Sequence, residues 1–224
     1  MISFLQSKNL SSFQNLEHGF LKKDQTLSPP PYLLKQVHSN RVLTIEEPLS
    51  QILEADGMVT RLAHFALGIK SADCVPILLF DPEASVIGAL HAGWRGALHG
   101  ICHNGVLAME SLGAKRSRIL AALGPSISQE NYEVGPEVYD LFLKQDVENK
   151  KFFRPSSQEH YSLFDLKNYV AHYLHHEGLT HIEILPFNTY TSTHLFHSYR
   201  RLTHTSSTPI LTNPFSNLSF IKII

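Results

Sequence analysis

Val75-Pro76-Ile77-Leu78-Leu79-Phe80, the turn signal Asp81-Pro82, and then Val86-Ile87-Gly88-Ala89-Leu90 running into His91-Ala92-Gly93-Trp94-Arg95-Gly96 form the stretch that decides the fold. Two short apolar runs bounded by turn residues read as buried strands. From residue 96 to 111 the spacing changes. Ala97, Ile101, Val106 and Met109 recur among polar residues at helical intervals, and Gly113 supplies the stop. The same reading extends outward. Residues 32–37, 41–45, 57–60, 66–70, 119–123 and 182–185 are expected strands, and 137–144 and 164–177 expected helices, the second ended by Gly178. Ser28-Pro29-Pro30-Pro31 is a stiff lead-in too short to link domains. Short strands alternating with helices, without a repeat or low-complexity block, predict a mixed α/β (α+β) chain.

Composition bounds the function. A chain of 224 residues with 43% hydrophobic content buries one substantial core, so a single domain over residues 1–224 is expected. A formal charge of -1 gives no basic footprint, which argues against nucleic acid or an anionic membrane as partner. Two cysteines make no disulfide framework and fit a reducing compartment where a thiolate stays free for a metal. The N-terminus shows no charged start followed by an apolar core, and no apolar run reaches about 18 residues. A soluble cytoplasmic monomer is the expectation.

Three potential zinc ligands, His38, Cys74 and His91, lie at the ends of apolar runs. Two nitrogens and a thiolate leave a fourth tetrahedral position for water or substrate, which marks a catalytic rather than a structural site. Taken singly, each has a plainer reading. With fourteen histidines in the chain an isolated His38 is a surface or packed residue, and an isolated Cys74 a small buried hydrophobe. His99, Cys102 and His103 form a rival cluster on one face of the expected helix. Arg95 beside a Gly-flanked helix start suits a phosphate group. Asp73, if in a strand, points away from Cys74, and Asp56 before Gly57 reads either as turn chemistry or as part of the site. Gly124-Pro125 is expected to shape a loop that offers backbone N–H groups to a ligand. Tyr199 reads as a packing residue, and Arg200 and Arg201 as anchors of the C-terminal region through ion pairs.

Gln36-Val37-His38, Ala55-Asp56-Gly57, Ala72-Asp73-Cys74, the segment from Ala89 to Gly96, Leu123-Gly124-Pro125-Ser126-Ile127, Tyr132-Glu133-Val134-Gly135 and Ser198-Tyr199-Arg200-Arg201 together resemble the YfiH-like family. That family is also called the laccase-domain or polyphenol oxidase family and is associated with purine nucleoside phosphorolysis and adenosine deamination. The resemblance spans most of the chain. It implies an α/β/β/α layered sandwich, zinc held by His38, Cys74 and His91, and a catalytic set of these three with Arg95. It further implies nucleoside and phosphate as partners, with Arg95, Gly124, Tyr199 and Arg200 binding substrate. Asp73, Glu133 and Tyr199 all stand open as proton donors. The sequence departs from the family in a shortened N-terminal region and in Asn188-Thr189, where Cys-Thr is usual. Other functions remain in view: a cysteine- or zinc-dependent hydrolase built on Cys74 and His91 that edits peptidoglycan precursors, or a diverged zinc- and nucleoside-binding protein without turnover. A multicopper oxidase needs several coppers, whereas the chain offers one convincing three-ligand site.

Overall fold

In the computed structural model, which describes residues 4–206 and 215–224, the first part of the chain is rich in strands. β1 (Leu16–Phe20), β2 (Tyr32–Leu33), β3 (Val42–Ile45), β4 (Gly57–Thr60), β5 (Leu67–Ser71), β6 (Val75–Asp81) and β7 (Val86–Ala92) precede helices α1 (Trp94–Leu98) and α2 (Ile101–Ser111). Strands and helices then alternate through β8 (Leu120–Leu123), β9 (Glu133–Val134), α3 (Pro136–Gln145), β10 (Phe153–Pro155), β11 (Ser162–Phe164), α4 (Leu166–His176), β12 (His181–Ile184), α5 (Tyr199–Thr205) and β13 (Asn217–Ile223). A six-stranded sheet runs β12-β8-β6-β7-β4-β3, a four-stranded sheet runs β1-β13-β5-β2, and a small sheet runs β10-β11-β9.

The β6–β7 hairpin is buried along both strands, and its period-2 alternation sorts the side chains into two cores. Val75, Ile77, Leu79, Val86 and Leu90 face one way, against Ile101, Val106 and Met109 of α2 and Tyr169, Val170 and Leu174 of α4. Leu78, Phe80, Ile87 and Ala89 face the other way, against Leu67 and Ile69 of β5, Ile221 of β13 and Phe20 of β1. The resulting stack of helices, larger sheet and smaller sheet is the expected mixed α/β layered architecture. Both cores share the larger sheet, so the chain forms one domain. No helix among the described residues is long and apolar enough to cross a membrane.

Three expectations are corrected, and two strands were not anticipated. The helix expected over residues 96–111 is two helices, because Gly100 turns left-handed at φ 88° between α1 and α2. The strand expected over 32–37 ends at Leu33, since the N–H groups of Val37 and His38 turn to the Asp56 carboxylate instead of a neighbouring strand. The helix expected from 164 begins at Leu166. Phe164 belongs to β11, and Asp165 caps the helix by accepting from Asn168 N at 3.2 Å. Finally, β1 and β13, which pair with each other in the smaller sheet, lie outside all the expected strands.

Phe142 of α3 joins the small sheet to the helical core. Its fully buried ring lies 4.7 Å from that of Phe164 and 4.8 Å from that of Tyr169. Phe142→Ala is therefore expected to lower the unfolding free energy by about 3 to 5 kcal/mol. The measurement is a shift of the urea midpoint at unchanged slope.

Candidate metal centre

The site is assembled at one end of the β6–β7 hairpin. Its register places Pro76 opposite His91 and Val75 opposite Ala92, so Cys74 and Gly93, the next residues out, face each other across the ladder. Gly93 is the N-cap of α1, and a Cβ there would lie 2.8 Å from His38 Cδ2 and 3.1 Å from Cys74 Sγ. Only glycine lets the imidazole and the thiol close over this turn.

His38 arrives from a separate loop that folds around Asp56. The fully buried Asp56 carboxylate accepts from Val37 N at 3.1 Å, His38 N at 2.9 Å, Ser39 N at 2.6 Å and Ser39 Oγ at 2.7 Å. It also accepts from His91 Nδ1 at 2.9 Å, and Asp56 O accepts from His91 N at 2.7 Å. Because a carboxylate only accepts, His91 keeps its proton on Nδ1, and Nε2 is the nitrogen that can give up a proton and bind. Asp56 thus combines the two roles open from the sequence, shaping the turn and orienting a site residue.

The ligand atoms of His38, Cys74 and His91 lie within 4.8 Å of one another, and among the described residues no other group of three or more His, Cys, Asp or Glu side chains converges in this way. Cys74 Sγ is 3.9 Å from His38 Nε2, close to the roughly 3.3 to 3.6 Å edges of a tetrahedral N/S site. Two imidazole nitrogens and a thiolate are donors suited to a borderline-soft metal ion. Charge coupling prepares them for one. Burial would raise the Cys74 thiol, but His91 and His38 outweigh it and bring its pKa down to about 6. Burial likewise opposes charge on His91, yet the Cys74 thiolate and Asp56 raise its pKa to about 9. Asp56 is held down at about 2 despite its burial, chiefly by His91 and Ser39.

The three donors open into a cavity of about 580 Å³ whose lining includes Gln36, Ala72, Arg95 and Tyr199. Gln36 is fixed by paired bonds to the Lys70 backbone, Nε2 to O at 2.7 Å and N to Oε1 at 2.9 Å. The exposed Arg95 guanidinium lies 4.3 Å over the Trp94 ring and forms no ion pair among the described residues. Arg95 also borders a second cavity of about 360 Å³ shared with Tyr132, Glu133 and Arg200. Arg200 donates from Nη1 to Glu133 O at 2.7 Å and lies 5.4 Å over the Tyr132 ring.

Other candidates fall elsewhere. Gly124 is buried; its N–H goes to Pro76 O at 2.9 Å, and a Cβ there would clash with the Phe20 ring. The N–H groups of Ser126 and Ile127 are likewise engaged, by Phe187 O and Asp73 O, so this loop offers no free amides to a ligand. Asp73 is not in a strand. It turns at φ 89°, and its carboxylate is taken up by Thr189 Oγ1 and Arg200 N, away from proton transfer. The Glu133 carboxylate accepts from Ser156 Oγ. Arg201 anchors through carbonyls rather than ion pairs, reaching Thr189 O, Tyr190 O and Phe196 O. His99, Cys102 and His103 do not converge: His99 caps α1, Cys102 is buried, and His103 pairs with Glu177. Asn188 organises its own turn, accepting from Tyr190 N at 3.0 Å and donating to Asn131 Oδ1 at 2.7 Å. Ser39 and Thr189 escaped sequence reading because their roles depend on distant carboxylates.

A family model described as multi-copper polyphenol oxidoreductase laccase matches residues 17–208. A purine nucleoside phosphorylase of Rickettsia prowazekii is 40% identical over 202 residues, which cover 90% of this chain and 81% of that protein. An adenosine deaminase of an unknown prokaryotic organism is 42% identical over 119 residues, covering 49% of this chain and 45% of that protein. Among solved structures, the YfiH protein of Bacillus licheniformis matches with a TM-score of 0.74 at 26% identity, covering 85% of this chain and 73% of that one. The matched span takes in the hairpin, the Asp56 loop and the three converging donors, and the chain belongs to the multi-copper polyphenol oxidoreductase laccase family and shares the fold of the YfiH protein.

Proposed function

We propose that this chain is a zinc-dependent purine nucleoside enzyme with two activities. As a phosphorylase it converts adenosine, inosine or methylthioadenosine with phosphate into the free base and ribose 1-phosphate or its methylthio form. As a deaminase it converts adenosine and water into inosine and ammonia. The observation that carries this reading is the convergence of His38, Cys74 and His91, with Asp56 behind His91, in a cavity walled by Arg95 and Tyr199. Relatives named for purine nucleoside phosphorolysis and adenosine deamination support the same substrate class. A single set of two nitrogens and one thiolate supports zinc over the several coppers of laccase chemistry.

His38 Nε2, Cys74 Sγ and His91 Nε2 would hold the ion. Bound zinc supplies a Lewis acid and lowers the pKa of a coordinated water toward neutrality. Asp56 keeps the proton on His91 Nδ1. Arg95 forms no ion pair among the described residues, and its guanidinium would grip phosphate through paired N–H groups. In phosphorolysis a phosphate oxygen bonds to C1′ as the bond from C1′ to the purine nitrogen breaks, and Arg95 steadies the attacking anion. In deamination water adds at C6 and the amino group leaves as ammonia, with no anion for Arg95 to hold. Tyr199, exposed on the cavity wall, offers its ring to the nucleoside.

A second reading is favoured by one observation, the Cys74, His91 and Asp56 series, in which a stabilised thiolate sits beside an imidazole backed by a carboxylate. That is the arrangement of a cysteine hydrolase, such as one that edits peptidoglycan precursors. Metal analysis separates the two. On the zinc reading Cys74→Ala removes zinc and turnover together, whereas full zinc with lost turnover would make Cys74 a nucleophile. Zinc-loaded protein inert toward all three nucleosides would instead be a binding protein.

Product chromatography tests the main reading. Adenosine with phosphate should give adenine and ribose 1-phosphate, and adenosine alone inosine. Arg95→Ala should cut kcat/KM for the phosphate-dependent reaction by about a hundredfold, the loss expected for a charged anion contact, and touch deamination far less. Equal losses would remove Arg95 from the phosphate role. Zinc affinity carries a pH signature as well. His91 must lose a proton to bind, while Cys74 is already a thiolate above its pKa, so between about 6 and about 9 affinity should rise with pH. One displaced proton gives about tenfold per pH unit. Calorimetry in buffers of different ionisation enthalpy would count it, and a flat profile would contradict the coupling described for the centre.

A further inference from the structure

Helix α5 forms part of the cavity wall through Tyr199 yet contributes no buried side chain to either core. Apolar burial therefore does not hold it in place, and its position depends on polar ties. Ser198 Oγ accepts from Arg201 N at 3.2 Å, and the Arg201 guanidinium reaches three carbonyls of the segment leading into the helix. These bonds are local. The tie that crosses to the metal centre is Asp73.

Ala72 and Cys74 both line the cavity, and Asp73 between them turns left-handed at φ 89° with its residue 7% exposed. Its Oδ2 accepts from Arg200 N at 2.7 Å, which satisfies one of the free N–H groups of the first turn of α5. Its Oδ1 accepts from Thr189 Oγ1 at 2.6 Å, in the segment that Arg201 grips, and its carbonyl accepts from Ile127 N at 3.0 Å. We infer that Asp73 is a positioning residue that clamps α5, and with it the Tyr199 wall, to the turn carrying Cys74, and so sets the opening between metal centre and nucleoside.

The chemistry of the clamp is hydrogen bonding, not charge. Both partners of the carboxylate are neutral donors, and the Arg200 guanidinium goes to Glu133 O and the Tyr132 ring instead. Asparagine meets the same demands. Its Oδ1 accepts from Arg200 N, its Nδ2 donates to a reversed Thr189 hydroxyl, and it tolerates positive φ better than most residues. Alanine loses both bonds and is strained at this φ. Thr189→Val removes one bond without touching the backbone, which keeps the test available if Asp73→Ala fails to fold.

The test compares Asp73→Asn, Asp73→Ala and Thr189→Val in zinc-loaded protein by adenosine phosphorolysis, zinc content and amide exchange over residues 199–205. Asp73→Ala and Thr189→Val should raise KM for adenosine by about tenfold, the loss of a buried hydrogen bond, with zinc content full and kcat little changed. Exchange of the α5 amides should quicken in both. Asp73→Asn should stay near the unmodified protein in KM and exchange. If Asp73→Asn abolishes turnover while α5 stays protected, the carboxylate acts by charge and the clamp is wrong. Unchanged KM and exchange in both Asp73→Ala and Thr189→Val would also overturn it. The KM readout rests on the nucleoside reading, whereas the exchange readout does not. An unmodified protein without turnover would defeat that reading and leave exchange alone to judge the clamp.

Discussion

The Asp56 carboxylate is the constraint on which the site depends. A buried, unpaired carboxylate costs several kcal/mol, and here the cost is offset by donors from two distant segments, the backbone and hydroxyl of residues 37–39 and the Nδ1 of His91. Meeting that demand bends the loop so that His38 takes φ 61° and presents its ring to His91, 4.9 Å away between centroids. The same carboxylate decides which His91 nitrogen is free. One group therefore sets loop shape, ring orientation and tautomer together.

The hydrophobic framework supplies the rigidity that this arrangement needs. β6 and β7 are covered on both faces, and the residues that close the centre, Cys74 and Gly93, leave the hairpin at the point where its register runs out. Side chains on the ends of buried strands are held more precisely than side chains on free loops. The opposite wall is built differently, since α5 has polar ties and no buried side chain. The cavity thus joins a fixed half that carries the ligand atoms to a half whose position hydrogen bonds determine.

What was legible in the sequence follows from the same division. The strands around 57–60, 75–80 and 86–90 announce themselves because continuous apolar runs bounded by turn residues have few other solutions. β13, Asn-Leu-Ser-Phe-Ile-Lys-Ile, interleaves polar residues that find partners only in the folded sheet, as Asn217 does by donating to Ser71 O at 3.1 Å. His38, Cys74 and His91 stand out by residue type, but their convergence depends on register and on Asp56, which are long-range facts. Gly124 and Asp73 were misplaced for a related reason. A backbone N–H taken by Pro76 O and a carboxylate turned by a positive φ leave no local mark in the chain.

Charge accounting gives the centre its chemical direction. Asp56 and the Cys74 thiolate place two negative charges beside the buried His91, and the imidazolium that they favour offsets one of them. A divalent ion held by His91 Nε2 and Cys74 Sγ would replace that proton and offset both charges, with Asp56 still accepting from His91 Nδ1. A monovalent ion would leave one charge uncompensated. The electrostatics that stabilise the thiolate and the geometry that turns Nε2 toward it therefore favour the same kind of occupant, a doubly charged ion that accepts nitrogen and sulfur together.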